Sequence, residues 1–78
     1  MGVITLVNAT SSDIEVRVTT DNDEGESSFY IIEKGNSETW GRDKRQVAFI
    51  WRADNNKTET LVVMPGKTYQ IDWRPPWT

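Results

Sequence analysis

Polar and apolar residues alternate with a period of two along most of this chain. Residues 13–20 set Ile14, Val16 and Val18 on one side and Glu15, Arg17 and Thr19 on the other. Residues 68–73 set Tyr69, Ile71 and Trp73 against Thr68, Gln70 and Asp72. This is the signature of a half-buried β-strand, whose side chains point alternately to opposite faces. Residues 3–8 and 58–64 are short apolar runs rich in β-branched residues. Residues 37–41 form a short strand holding Trp40. Residues 46–52 carry Val47, Phe49 and Trp51 on one face and Ala48, Ile50 and Arg52 on the other, so both faces are largely apolar. The first of these triplets is expected to face the core. Residues 28–33, with Phe29, Tyr30, Ile31 and Ile32 in a row, read as a central or bridging strand. No segment shows the 3.6-residue period of an amphipathic helix.

Turn chemistry separates these segments at 8–12, 21–26, 34–36, 41–45, 54–56 and 65–67. Pro65-Gly66 is the clearest case. Proline presets φ at the second position of a type II turn, and glycine accepts the positive φ at the third. The spacing predicts an all-β domain, a small antiparallel β-sandwich or barrel of about seven strands. The domain is expected over residues 1–73. Arg74-Pro75-Pro76-Trp77-Thr78 is expected as an extended tail over residues 74–78, because two prolines cannot donate to a ladder. If successive strands run antiparallel, the turns at 8–12, 34–36 and 53–57 share one pole with the tail. Those at 21–26, 41–45 and 65–67 share the other.

With 78 residues, the chain is one domain with a small core. It has no cysteine and no histidine. Disulfides and thiolate metal sites are therefore excluded, and the commonest metal ligand and general base are missing. Nucleophilic triads lack their usual base, and a catalytic cleft would consume the core, so the expectation is a non-enzymatic protein without a cofactor. The net charge of −3 argues against a nucleic-acid backbone as partner. No apolar run is long enough for a transmembrane segment. The first six residues lack the basic start and apolar stretch of a signal peptide, so a cytoplasmic location is expected unless a leader has been removed.

Candidate chemistry is sparse. Asp21-Asn22-Asp23-Glu24-Gly25-Glu26 partly matches a calcium loop. Its glycine comes one place early, however, and Ile32 stands where a bidentate glutamate belongs, so a solvated acidic turn is the simpler reading. Arg42-Asp43-Lys44-Arg45 is either a solvated turn or the basic half of a salt-sensitive contact between molecules. Asn8-Ala9-Thr10 and Asn56-Lys57-Thr58 fit the glycosylation acceptor, which matters only in a secreted protein. There are four tryptophans in this small chain. Trp40 with Arg42, and Trp73 with Arg74 and Trp77, pair aromatic platforms with cations. Such pairs suit a glycan face or a lipid headgroup; the simpler reading, above all for Trp40, is that the rings plug the open ends of a small barrel or bury in a subunit interface.

Four stretches and a last strand carry a resemblance: Leu6-Val7-Asn8-Ala9-Thr10, Ile14-Glu15-Val16-Arg17-Val18, Ser28-Phe29-Tyr30-Ile31-Ile32, Gly35-Asn36-Ser37-Glu38-Thr39-Trp40-Gly41-Arg42, and a final strand after Pro65-Gly66-Lys67. Their order resembles small, uncharacterised β-sandwich proteins of basidiomycete fungi. It also resembles the lectin-like and membrane-binding sandwiches of fungal fruiting bodies. The resemblance implies a sandwich fold more than it implies an activity. The expected function is a non-catalytic binding module, recognising a glycan or lipid headgroup through Trp40, Arg42, Trp73, Arg74 and Trp77, as a homo-oligomer. The alternative is a self-assembling or protein-interaction protein in which the aromatics form an interface and no small ligand exists.

Overall fold

A computed structural model describes residues 2–20, 28–53 and 56–72. It contains β1 (Gly2–Asn8), β2 (Ile14–Val18), β3 (Tyr30–Ile32), β4 (Ser37–Arg42), β5 (Gln46–Arg52), β6 (Lys57–Val63) and β7 (Thr68–Ile71). Each coincides with a predicted segment, its ends moved by at most two residues. The strands form two sheets, one ordered β4-β1-β7 and the other β3-β2-β5-β6. No helix among the described residues is long and apolar enough to cross a membrane.

Every pairing is antiparallel except β1 with β7, which run parallel with Leu6 opposite Tyr69. The expectation of uniformly antiparallel pairing is corrected at this one place. The cause is topological. Strands that reverse direction at each turn leave all odd-numbered strands pointing the same way, so first and seventh can be neighbours only in parallel. The reversals also sort the described turns onto two poles, as expected. At one pole the Asn8 amide donates to Asn36 O at 2.8 Å and the Ala9 amide to Ile71 O at 2.7 Å. At the other, the Gly66 amide donates to Val3 O at 2.8 Å, and Arg42 reaches Thr19 O. The Pro65-Gly66 turn has Gly66 at φ 85° and closes through the Lys67 amide on Met64 O at 3.3 Å, as a type II turn requires.

Ile4, Leu6, Trp40 and Ile71 from the three-stranded sheet meet Ile14, Val16, Val18, Ile32, Ala48, Ile50 and Val63 from the other. Full burial of a side chain of this size contributes about 1.5–3 kcal/mol, so this one layer is the main stabilising term. Two sequence expectations fail here. The core face of β5 carries Ala48 and Ile50, while Val47, Phe49 and Trp51 lie on its outer face. Register decides this: Ile50 pairs with Val16 and Ala48 with Val18, so they share the core face of β2. Segment 28–33 is not central. It yields the three-residue edge strand β3, and Phe29, Tyr30 and Ile31 are exposed.

The core also holds polar groups, and among the described residues every fully buried side-chain nitrogen and oxygen has a hydrogen-bond partner. Asn8 is completely buried. Its Nδ2 donates to Ile32 O at 2.7 Å and Ser12 O at 2.9 Å, and its Oδ1 accepts from the Thr10 amide at 2.9 Å and Thr10 Oγ1 at 2.7 Å. The Asn8-Ala9-Thr10 triplet is therefore a structural turn whose amide nitrogen is already engaged. Arg52 is also buried, and its Nη1 donates to Glu59 Oε1 at 3.0 Å across the inner face of β5 and β6.

Asn8→Asp keeps the shape and both acceptor bonds but removes the two donors. Stranding the buried Ile32 carbonyl, while the Ser12 carbonyl keeps its bond from Thr10 Oγ1 at 2.7 Å, is expected to cost about 2–3 kcal/mol. Thermal denaturation should show a melting temperature lower by ~10 °C or more. An unchanged melting point would show that the amide does not hold this pole.

Removing the carboxylate that faces Arg52 is expected to be similarly damaging. Glu59→Ala should cost about 1.5–3 kcal/mol, because the buried guanidinium loses a charge-assisted hydrogen bond. Urea unfolding of the variant checks this through the midpoint.

Candidate functional site

Arg42 was expected as an exposed contact residue and is instead buried. It lies opposite Gly2 at the edge of the three-stranded sheet. Its guanidinium reaches the end of β2 in the other sheet. There Nε donates to Thr19 O at 2.8 Å and Nη2 approaches Val18 O at 3.4 Å, while Nη1 bonds Gly41 O at 2.8 Å. A planar fork of donors suits this duty, because strand ends leave carbonyls without ladder partners. Arg42 thus clamps the two sheets together.

Trp40 is 4% exposed and belongs to the core. It packs opposite Ile4, with Tyr30 meeting it edge to face at 6.4 Å between ring centres. The expectation that Trp40 and Arg42 present an exposed platform is therefore corrected. A small sandwich needs one large side chain to fill its interior, and Trp40 supplies it. Trp73, Arg74 and Trp77 lie outside the described residues, as does the acidic segment 21–26. Asp43, Lys44 and Arg45 are exposed beside the buried Arg42.

The surface that alternation did not single out is the outer face of the four-stranded sheet. Cross-strand partners share a face, so the register builds it row by row. One row runs Ile31, Glu15, Trp51, Thr58. The next runs Arg17, Phe49, Thr60, and the third pairs Val47 with Val62. Ile31 is 63% exposed and Val62 is 55% exposed, and Phe29 and Met64 flank them as further exposed apolar side chains. Phe49, Trp51 and Val47 are half-buried among their neighbours. Arg17 lies with its guanidinium carbon 5.4 Å from the Phe49 ring centre, within cation–π range.

The outer face of the three-stranded sheet differs. It presents Thr5, Thr39, Thr68, Ser37 and Gln70, with Val3 and Val7 the aliphatic members. One molecule thus carries a hydroxyl-rich face and an apolar, aromatic face on opposite sides. The sequence signal for the second lay in β5, whose two apolar faces cannot both be core. It lay also in Phe29-Tyr30-Ile31-Ile32, too apolar for an exposed edge.

A cavity of about 410 Å³ is lined by residues 31–33 and 35–38, from the end of β3, the start of β4 and the turn between them. Glu33 and Glu38 both border it, but no third acidic group joins them. Among the described residues no cluster of three or more potential ligands is placed to hold a metal ion. No family model, characterised protein or solved structure was found to match the chain.

Arg42→Met is expected to lower stability by about 2–3 kcal/mol through the carbonyls it leaves unpaired. It should leave the surface face unaltered. A melting curve reads the first effect, and a heteronuclear NMR spectrum confined to changes near residues 18–20 and 41–43 reads the second.

Proposed function

We infer that this chain is a non-catalytic interaction domain that engages another protein surface through the outer face of β3, β2, β5 and β6. The observation that supports this reading is the exposure of Ile31 and Val62 at opposite edges of a sheet face whose centre is Phe49 and Trp51. Exposed apolar side chains gathered on one face of a small domain mark a contact site. Aromatic residues with an adjacent arginine are the side chains that dominate binding energy in protein interfaces. The composition of the patch favours a protein over a sugar. A glycan platform needs an open ring bordered by hydrogen-bonding groups, whereas the most exposed members here are aliphatic.

The test is site-specific photo-cross-linking. A benzophenone side chain placed at Ile31 or Val62 should give a protein adduct. The same group at Thr39 or Gln70, on the opposite outer face, should not. Absence of adducts from both Ile31 and Val62 would overturn the reading. So would retention of the protein on a glycan array or on phosphatidylcholine vesicles in a manner abolished by Trp51→Ala.

A further inference from the structure

The patch carries one acidic and one basic side chain at its centre, and their positions are self-complementary. Glu15 and Arg17 are successive outward residues of β2. Glu15 stands in the row with Trp51 and Arg17 in the row with Phe49. Consider a two-fold axis lying in the plane of a face-to-face contact and crossing the strands at the level of Val16. It reverses β2 over its own copy. Glu15 then faces Arg17 of the second molecule, and Arg17 faces its Glu15. The same operation sets Trp51 over Phe49 and Thr58 over Thr60. Acid meets base and aromatic meets aromatic through one symmetry operation, as an isologous contact requires.

We propose that the occupant of this face is a second copy of the chain, joined through this two-fold arrangement into a four-layered pair of sandwiches. The proposal rests on reading the face as an interaction surface, and it names the partner. Two sheets packed in this way lie about 10 Å apart. The opposite outer face offers hydroxyls, which would leave Glu15 and Arg17 without counter-charges.

Size sets the expected strength. Four strands about 4.8 Å apart, with residues rising about 3.3 Å each, give a face on the order of 20 Å square. Two such faces bury about 800 Å² in total, below the roughly 1,000–1,200 Å² at which stable specific interfaces begin. The dimer is therefore expected to be weak and reversible, with a dissociation constant on the order of 10–100 µM.

Sedimentation velocity on the whole chain, from about 1 µM to about 1 mM, tests this with three variants. Glu15→Arg sets two arginines against each other at both symmetry-related positions, and Arg17→Glu does the same with glutamates. Each should raise the dissociation constant at least about tenfold, since like charges facing each other in an interface cost several kcal/mol. The double variant Glu15→Arg/Arg17→Glu recreates the pairing in reverse and should recover most of the loss. Full recovery is not expected, because the cation over Phe49 is gone. These residues lie on the surface, and melting curves of each variant confirm that folding is intact.

A chain that stays monomeric over the whole range overturns the proposal. If adducts heavier than a dimer form at Ile31 or Val62 in a cell extract, the interaction reading survives that result and the partner is another protein. A wild-type dimer unmoved by either single reversal also overturns the proposal, because it must form through a different surface. Failure of the double variant to recover does so as well, because it denies the two-fold pairing.

Discussion

Asn8 is the point on which the two sheets depend at one pole. A seven-stranded sandwich without disulfides has to bring four chain segments together there, and each arrives with backbone groups that its own ladder leaves open. The Asn8 side chain bonds the end of β3 and the crossover into β2, while its backbone amide and carbonyl bond Asn36 and Gly35 at the entry to β4. An amide is the right chemistry because it donates twice and accepts twice from one small group. A carboxylate would meet two carbonyls with no proton to offer. Arg42 does the corresponding work at the other pole with a longer reach and more donors. The apolar layer holds the sheets face to face, and these two polar side chains hold their ends in register.

This division of labour explains why buried polar residues are numerous for so small a core. Apolar contact is non-directional and tolerates sliding of one sheet over the other. Hydrogen bonds from Asn8, Arg42 and Thr19, and the Arg52–Glu59 pair, have fixed geometry and do not tolerate it. Such groups are poor sources of net stability, but their loss leaves a desolvated partner behind. The same logic separates the two outer faces. The three-stranded sheet closes its surface with threonines, while the four-stranded sheet leaves Ile31, Phe49, Trp51 and Val62 in a row-by-row arrangement that burial in the monomer does not account for.

The fold was largely legible in the sequence, and the site was not. Period-two alternation located β2 and β7, and β-branched or aromatic runs bounded by turn residues located the other strands. Turn residues located the reversals, and Pro65-Gly66 even its type. Alternation fails when both faces of a strand are apolar, as in β5. There only the pairing of Ile50 with Val16 reveals which face is inside, and pairing is not written in a single strand. Trp40 and Arg42 misled for a related reason. Flanked by polar residues, they read as surface groups, yet their places opposite Ile4 and Gly2 in β1 set them inside. Trp73, Arg74 and Trp77, the rest of the expected platform, fall outside the described residues.

The parallel pairing of β1 with β7 has a bearing on how the chain reaches this state. Leu6 and Tyr69 come from nearly opposite ends of the sequence, so their contact closes almost the whole polypeptide into one loop. Topologies dominated by such distant pairings fold over milliseconds to seconds, not microseconds. During synthesis β1 waits, unable to complete its sheet, until Thr68–Ile71 has been made. One backbone edge of it, from Thr5 to Asn8, has no strand beside it for that interval. A nascent chain of this design therefore passes through a period of vulnerability to aggregation, and it is the arrival of its seventh strand, more than any local turn, that ends it.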